Sequence, residues 1–228
     1  MITARGICFP GGFIKRRCDM KKISMKAGEM LSPLPAVMVS CGDMENSNII
    51  TIAWTGIVNS KPPMTYVSVR PERYSHDIIE KSGEFVINLV SEDLVFAMNH
   101  CGSTSGRNED KFREMHLSKA KGDKVSCPLI EESPVNIECK VVEVKRLGSH
   151  DMFLAEIVAV HAAEEYMKES GRFALNEAGL VAYLHGEYFG LKQRRLGTYG
   201  YSVMKKKTAK KRREKGLSYG GKKAHFEK

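Results

Sequence analysis

Apolar and β-branched residues recur along this chain in short runs, separated by clusters of Gly, Pro, Asn, Asp and Ser. That spacing predicts strands with few helices. A first strand is expected over Pro35–Ser40, turning over in the Gly- and Asn-rich segment 41–48. Two β-type runs follow, Ile49–Val58 and Met64–Arg70, and the Pro62–Pro63 pair between them forces a turn, because proline cannot donate to a ladder. Ser75 suits the N-cap of a short helix that stops at Ser82–Gly83. Glu84–Val90 reads as the next strand. Ser91 is then placed to cap a helix running to about Asn99, with Glu92 and Asp93 where the helix dipole favours them. Residues 100–112 read as a loop entering a helix near Asp110. In the second half, 135–147 is predicted to pair with 150–163 across Gly148–Ser149. Alternation there puts Val135, Ile137, Cys139 and Val141 on one face, and Asn136, Glu138 and Lys140 on the other. The segment 171–191 brings the chain back, which makes the whole a mainly β small barrel with a few short helices.

Composition alters this picture little, because 42% hydrophobic and 28% charged residues describe one ordinary globular domain with tails. A body of about 180 residues hides roughly 70% of its unfolded surface, enough for a single core. Charge is more informative. The net charge of +9 equals the eleven Lys/Arg minus two Glu of residues 205–228, so residues 1–204 are neutral overall. The body therefore carries no electrostatic case for nucleic acid, and only the tail offers a weak grip on nucleic acid or an anionic membrane surface. Residues 1–24 and 205–228 are expected to be disordered extensions of a domain spanning 25–204. No apolar run is long enough to span a membrane, and the apolar stretch near Ile7 is too short and broken for a leader, so a cytoplasmic protein is expected. The six cysteines, at 8, 18, 41, 101, 127 and 139, make no CxxC pair and no zinc spacing with histidine. Reduced thiols and no metal site are expected, with Cys139 a small core residue.

No dinucleotide-binding glycine motif, phosphate-loop lysine, metalloprotease helix or serine elbow is present. Candidate chemistry lies elsewhere. A strand ending in Arg70, followed by a helix start at Ser75, offers a fixed cation and unpaired amides, which is a place for a phosphate. Gly102 and Gly106 allow a ligand close to the backbone, and Ser105 supplies a hydroxyl.

Several segments in order carry a resemblance: Pro35–Ser40; Thr51, Ala53 and Trp54; Pro62–Pro63; Ser68, Val69 and Arg70 with Ser75; Glu84–Leu89; Asp110, Lys111 and Phe112; Gly148, Ser149 and His150; and the segment from Gly190 to Val203. Together they resemble the flavin reductase family, which has the FMN-binding split β-barrel fold and includes flavoredoxin-type proteins. The likeness spans roughly residues 25–204. It implies FMN as cofactor, NADH or NADPH as hydride donor, and a homodimer with FMN at or near its interface. It also implies a loop over the flavin near its phosphate, which places Cys101, Gly102, Ser105, Gly106 and Lys111 at the cofactor. Asn48, the amides of Thr51–Thr55 and Ser68–Arg70, and Ser75 are further cofactor-binding candidates, with Trp54 as a pocket wall. His150 corresponds to a histidine beside flavin or nicotinamide and is the catalytic candidate. The family often has an acid before that histidine, where this chain has Ser149; Asp151, the next acid, should face the other way. The implied activity is NAD(P)H-dependent flavin reduction. The alternatives are a flavoredoxin-like electron carrier reduced by a redox protein partner, and a non-enzymatic module with a nucleic-acid-binding tail.

Overall fold

The computed structural model describes residues 8–9, 12–13, 21–191, 195–205 and 208. The disorder expected of the two ends falls mostly outside these residues. The chain divides into two compact units, residues 1–31 and 32–228. In the first, β1 (Cys8–Phe9) pairs antiparallel with β2 (Gly12–Phe13).

The second unit holds the fold. Its strands are β3 (Leu34–Pro35), β4 (Val37–Gly42), β5 (Ser47–Ile52), β6 (Thr55–Ser60), β7 (Pro63–Val69), β8 (Glu84–Leu89), β9 (Lys119–Ala120), β10 (Leu129–Ile130), β11 (Val135–Arg146), β12 (Asp151–Ala162), β13 (Val181–Leu184) and β14 (Glu187–Gly190). The helices are α1 (Tyr74–Ser82), α2 (Val95–Ser103) and α3 (Lys111–Glu114). Seven strands form one antiparallel sheet in the order β5-β4-β8-β11-β12-β7-β6, and β14-β13-β3 form a second. This is the mainly β split barrel with short helices that the residue pattern and the resemblance predict. Among the described residues, no helix is long and apolar enough to cross a membrane.

Strand β4 is apolar on both faces because both faces are covered. Val37, Val39 and Cys41 join Phe85, Ile87, Val67 and Phe153 in one core, while Met38 packs with Ile49, Met98, Cys101 and Phe112 under α2 and α3. Phe85 and Phe153 are fully buried, and truncating either to alanine costs about 3–5 kcal/mol.

Four local readings change. The run Ile49–Val58 is two strands, broken at Ala53–Trp54, where the Thr55 amide donates back to Ala53 at 3.0 Å. The predicted hairpin is therefore β6–β7. Ser75 does not cap α1: Arg73 holds that position, and the Ser75 hydroxyl turns inward. Ser91 likewise makes no side-chain cap, and the helix beyond it opens as a 3-10 turn over Glu92–Leu94 and runs to Ser103, taking in Cys101 and Gly102. Alternation on β11 also fails, since Asn136 and Glu138 are buried beside their apolar neighbours, next to a register shift at Glu138/Cys139. Each is hydrogen-bonded, as a buried polar group must be. Asn136 donates to Asn88 Oδ1 and the Ile130 carbonyl, both at 2.8 Å. Glu138 accepts from the amides of Asp123, Lys124 and Val125 and from His161. Burial alone would raise the Glu138 carboxyl, but these donors hold it below the usual range.

Other readings stand. β11 pairs with β12 across the Gly148 turn, Gly83 ends α1 in the left-handed conformation (φ 67°), and Cys139 is buried. Asp110 caps α3, accepting from the amides of Phe112 and Arg113.

Candidate functional site

Strand β5, the start of α1, the end of α2 and the loop 104–110 enclose a cleft of about 190 Å³. Asn48, only 4% exposed, donates from Nδ2 to the Ser75 hydroxyl at 2.8 Å, which ties β5 to α1 at the floor. The loop folds over this floor because it has no side chain at the contact. A Cβ on Gly106 would lie 2.1 Å from Asn48 Oδ1 and 2.9 Å from Tyr74 Cδ1. Gly102 allows a similar approach of α2 to β5, where a Cβ would meet Thr51 Cβ at 2.9 Å. His100 and Glu109 pin the loop at its base, 2.9 Å apart.

Lys111 lines the cleft but is buried, and its ammonium donates to the carbonyls of Ile49 (2.9 Å) and Cys101 (2.6 Å). Burial pushes its pKa down. It is a staple between strand and helix more than a mobile counter-ion, with two of its three donors already used. Cys101 is buried at the wall, and burial raises its thiol to about 11, so it carries no thiolate chemistry near neutrality.

Besides Lys111, the cations lining the cleft are Arg73 and Arg107. Arg107 lies over the Tyr74 ring at 5.3 Å and donates to the Glu72 carbonyl at 3.1 Å, an arrangement that fixes a guanidinium at the rim. Arg70, the cation expected here, is exposed outside the cleft and sits 3.7 Å from Glu72. The signal for the other two was in the sequence: Arg73 directly precedes α1, and Arg107 directly follows Gly106.

A second group of residues lies at the β5–β6 break. Trp54, 39% exposed, has the His150 ring parallel to it at 6.2 Å and an interplanar angle of 4°. Tyr183 is tilted against Trp54 at 6.5 Å, and Tyr188 lies 5.9 Å beyond. Ser149 Oγ is 3.0 Å from His150 Nδ1. Ala53, Thr55 and Ser68 frame this corner: Thr55 bonds the Tyr66 carbonyl, and the Ser68 amide donates to Trp54 at 2.9 Å.

Of the residues chosen from sequence, Asn48, Ser75, Cys101, Gly102, Ser105, Gly106 and Lys111 line the cleft. Trp54 and His150 form the aromatic corner. Thr51 supports Gly102 and bonds the Met98 carbonyl, and Val69 is core. Tyr74, Arg73, Arg107 and Tyr183 were missed.

The described residues thus form a split barrel with a cleft lined by Arg73 and Arg107 and a separate aromatic corner at Trp54 and His150. The flavin reductase like domain matches residues 30–192, and the chain belongs to that family. It is 32% identical over 132 residues to an uncharacterized protein of Archaeoglobus fulgidus, covering 58% of this chain and 74% of that one. In structure it is similar to the flavoredoxin of Desulfovibrio vulgaris (Miyazaki F), with a TM-score of 0.75 and 29% identity over 81% of this chain and all of that one. It is also similar to an FMN-binding protein of Thermus thermophilus with bound 1-cyclohex-2-enone. There the TM-score is 0.64 and the identity 26%, covering 75% of this chain and 97% of that one.

Proposed function

We propose that this protein binds FMN and catalyses NAD(P)H-dependent flavin reduction. The observation that carries the reading is the cleft. Two arginines, Arg73 and Arg107, line it together with Ser75 and Ser105, and cations beside hydroxyls suit a phosphate ester. The likeness to an FMN-binding protein of Thermus thermophilus supports the choice of flavin. Bound FMN supplies the hydride-accepting ring. The chain supplies the rest: Arg73 and Arg107 bind the phosphate end, Trp54 walls the ring end, and His150 orients the nicotinamide of NADH or NADPH. A homodimer fits the edge strand β6, where Ile57 is 75% exposed. The free, buried Cys41, Cys101, Cys127 and Cys139 fit a reducing cytoplasm.

A second reading, an FMN electron carrier reduced by a protein partner, is favoured by the structural likeness to a flavoredoxin. One experiment separates them. The purified protein should be yellow or take up added FMN, and NADH or NADPH should bleach it without oxygen. Binding without bleaching would replace the reductase by the carrier, and no flavin uptake would refute both.

A further inference from the structure

An ion network centred on the buried pair His76 and Asp151 links helix α1, which lines the cleft, to the turn that carries His150. Helix α1 presents Tyr74 and Ser75 to the cleft, and the next residue, His76, turns inward and is buried. Its Nε2 lies 2.8 Å from Asp151 Oδ2, and its Nδ1 faces Asp77 at 3.2 Å and Glu80 at 4.0 Å. The Phe153 ring meets its edge at 5.3 Å. Asp151, 5% exposed, is the first residue of β12 and directly follows His150. Arg146, its ladder partner on β11, closes the same turn, and its guanidinium contacts both Asp151 and Glu80. Burial would raise the Asp151 carboxyl, but His76 and Arg146 hold it below its usual value.

We infer that Asp151 is a positioning residue: through His76 and Arg146 it locks the turn carrying His150 to the cleft-lining helix and so sets the His150 ring over Trp54. Leu147 donates to the His150 carbonyl at 3.0 Å, and Gly148 adopts φ 94° with nothing packed against it. A carboxylate one residue from His150, bonded to a helix 75 positions away in sequence, is the feature that converts a hairpin tip into a fixed part of the site. The inference rests on the reading of Trp54 and His150 as the ring end of the flavin site.

The chain has one tryptophan, so Trp54 emission reports on its stacked imidazole directly. Emission and its acrylamide quenching are measured on the full-length chain at matched flavin occupancy, for wild type, Asp151→Asn, His76→Gln, the double variant and His150→Ala. Asp151→Asn and His76→Gln should each move the emission in the direction of His150→Ala, and the double variant should move it no further than Asp151→Asn alone, in which the His76 link is already broken. FMN affinity should hold, while anaerobic reduction by NAD(P)H slows roughly tenfold to a hundredfold. Unchanged Trp54 emission in Asp151→Asn, with only a lower unfolding midpoint, overturns the inference. If that variant does not fold, Arg146→Gln carries the same expectation from the exposed end of the network. Additive shifts in the double variant overturn the route through His76. Should wild type resist reduction by either nucleotide while the emission pattern holds, the nicotinamide reading fails and the positioning role stands.

Discussion

Replacing Gly106 by alanine tests whether the cleft is built by close approach of the loop to β5. The backbone at Gly106 is not left-handed, so alanine is allowed there by conformation, and the question is one of space. The new Cβ would stand 2.1 Å from Asn48 Oδ1 and 2.5 Å from Asn48 Cγ, well short of the 3.4 Å where ordinary contact begins. Asn48 has nowhere to go: it is buried, and its amide is committed to Ser75. Overpacking of this kind costs about 1–3 kcal/mol, and losing the Asn48–Ser75 bond adds about 1 kcal/mol. The smaller conformational entropy of the unfolded alanine chain returns about 0.4–1 kcal/mol. The clash wins, and stability should fall by about 1–3 kcal/mol. To the extent that the loop lifts instead, the loss moves from stability to binding. FMN affinity should then drop tenfold or more, about 1.4 kcal/mol. Urea unfolding followed by Trp54 emission reads the first, and titration of flavin fluorescence reads the second. Gly148→Ala is the control: nothing lies within 4 Å, but φ is 94°, so it should cost about 1–2 kcal/mol and leave FMN affinity alone. An unchanged midpoint together with unchanged FMN affinity in Gly106→Ala would refute the reasoning.

Three further outcomes are expected. Arg107→Ala should weaken FMN by about 1.5–3 kcal/mol and riboflavin far less, since a charge-assisted contact to the phosphate is lost, whereas Arg70→Ala should leave both nearly unchanged; equal losses for the two ligands in Arg107→Ala would remove it from the phosphate. Glu138 and Asp151 have carboxyls held below their ordinary values, so their contribution to stability is complete above the ordinary carboxylate range and is lost as pH falls through and below it. The urea midpoint should accordingly be flat from neutrality down to about pH 5 and fall below about pH 4, and Glu138→Gln should flatten part of that acid limb. Deleting residues 205–228 should preserve folding and flavin affinity and abolish any salt-sensitive binding to DNA, RNA or anionic vesicles; loss of FMN on truncation would make the tail part of the site.

What the sequence determined by itself was local. The pairing of β11 with β12, the stop at Gly83, the helix start near Asp110, the breaker at Pro62–Pro63 and the apolar strand β4 all follow from residues adjacent in the chain. Periodicity and turn chemistry act over that range. The glycines of the cleft stood out in the sequence as places for a ligand's close approach, whereas in the fold their open faces meet Thr51 and Asn48. Tertiary structure decided which polar groups meet. Glu138 looks like the solvent face of a strand until the 123–125 amides arrive to satisfy it. Ser75 looks like a cap until Asn48 comes within 2.8 Å from 27 residues away. Arg70 and Arg107 carry the same flexible cation on opposite sides of α1 in sequence, and only the folding of loop 104–110 back over Tyr74 selects Arg107 for the cleft. His76 and Asp151 are separated by 75 positions and share no pattern. A long polar side chain is directed by its partner, and where that partner is distant in sequence, the chain must fold before the pair exists.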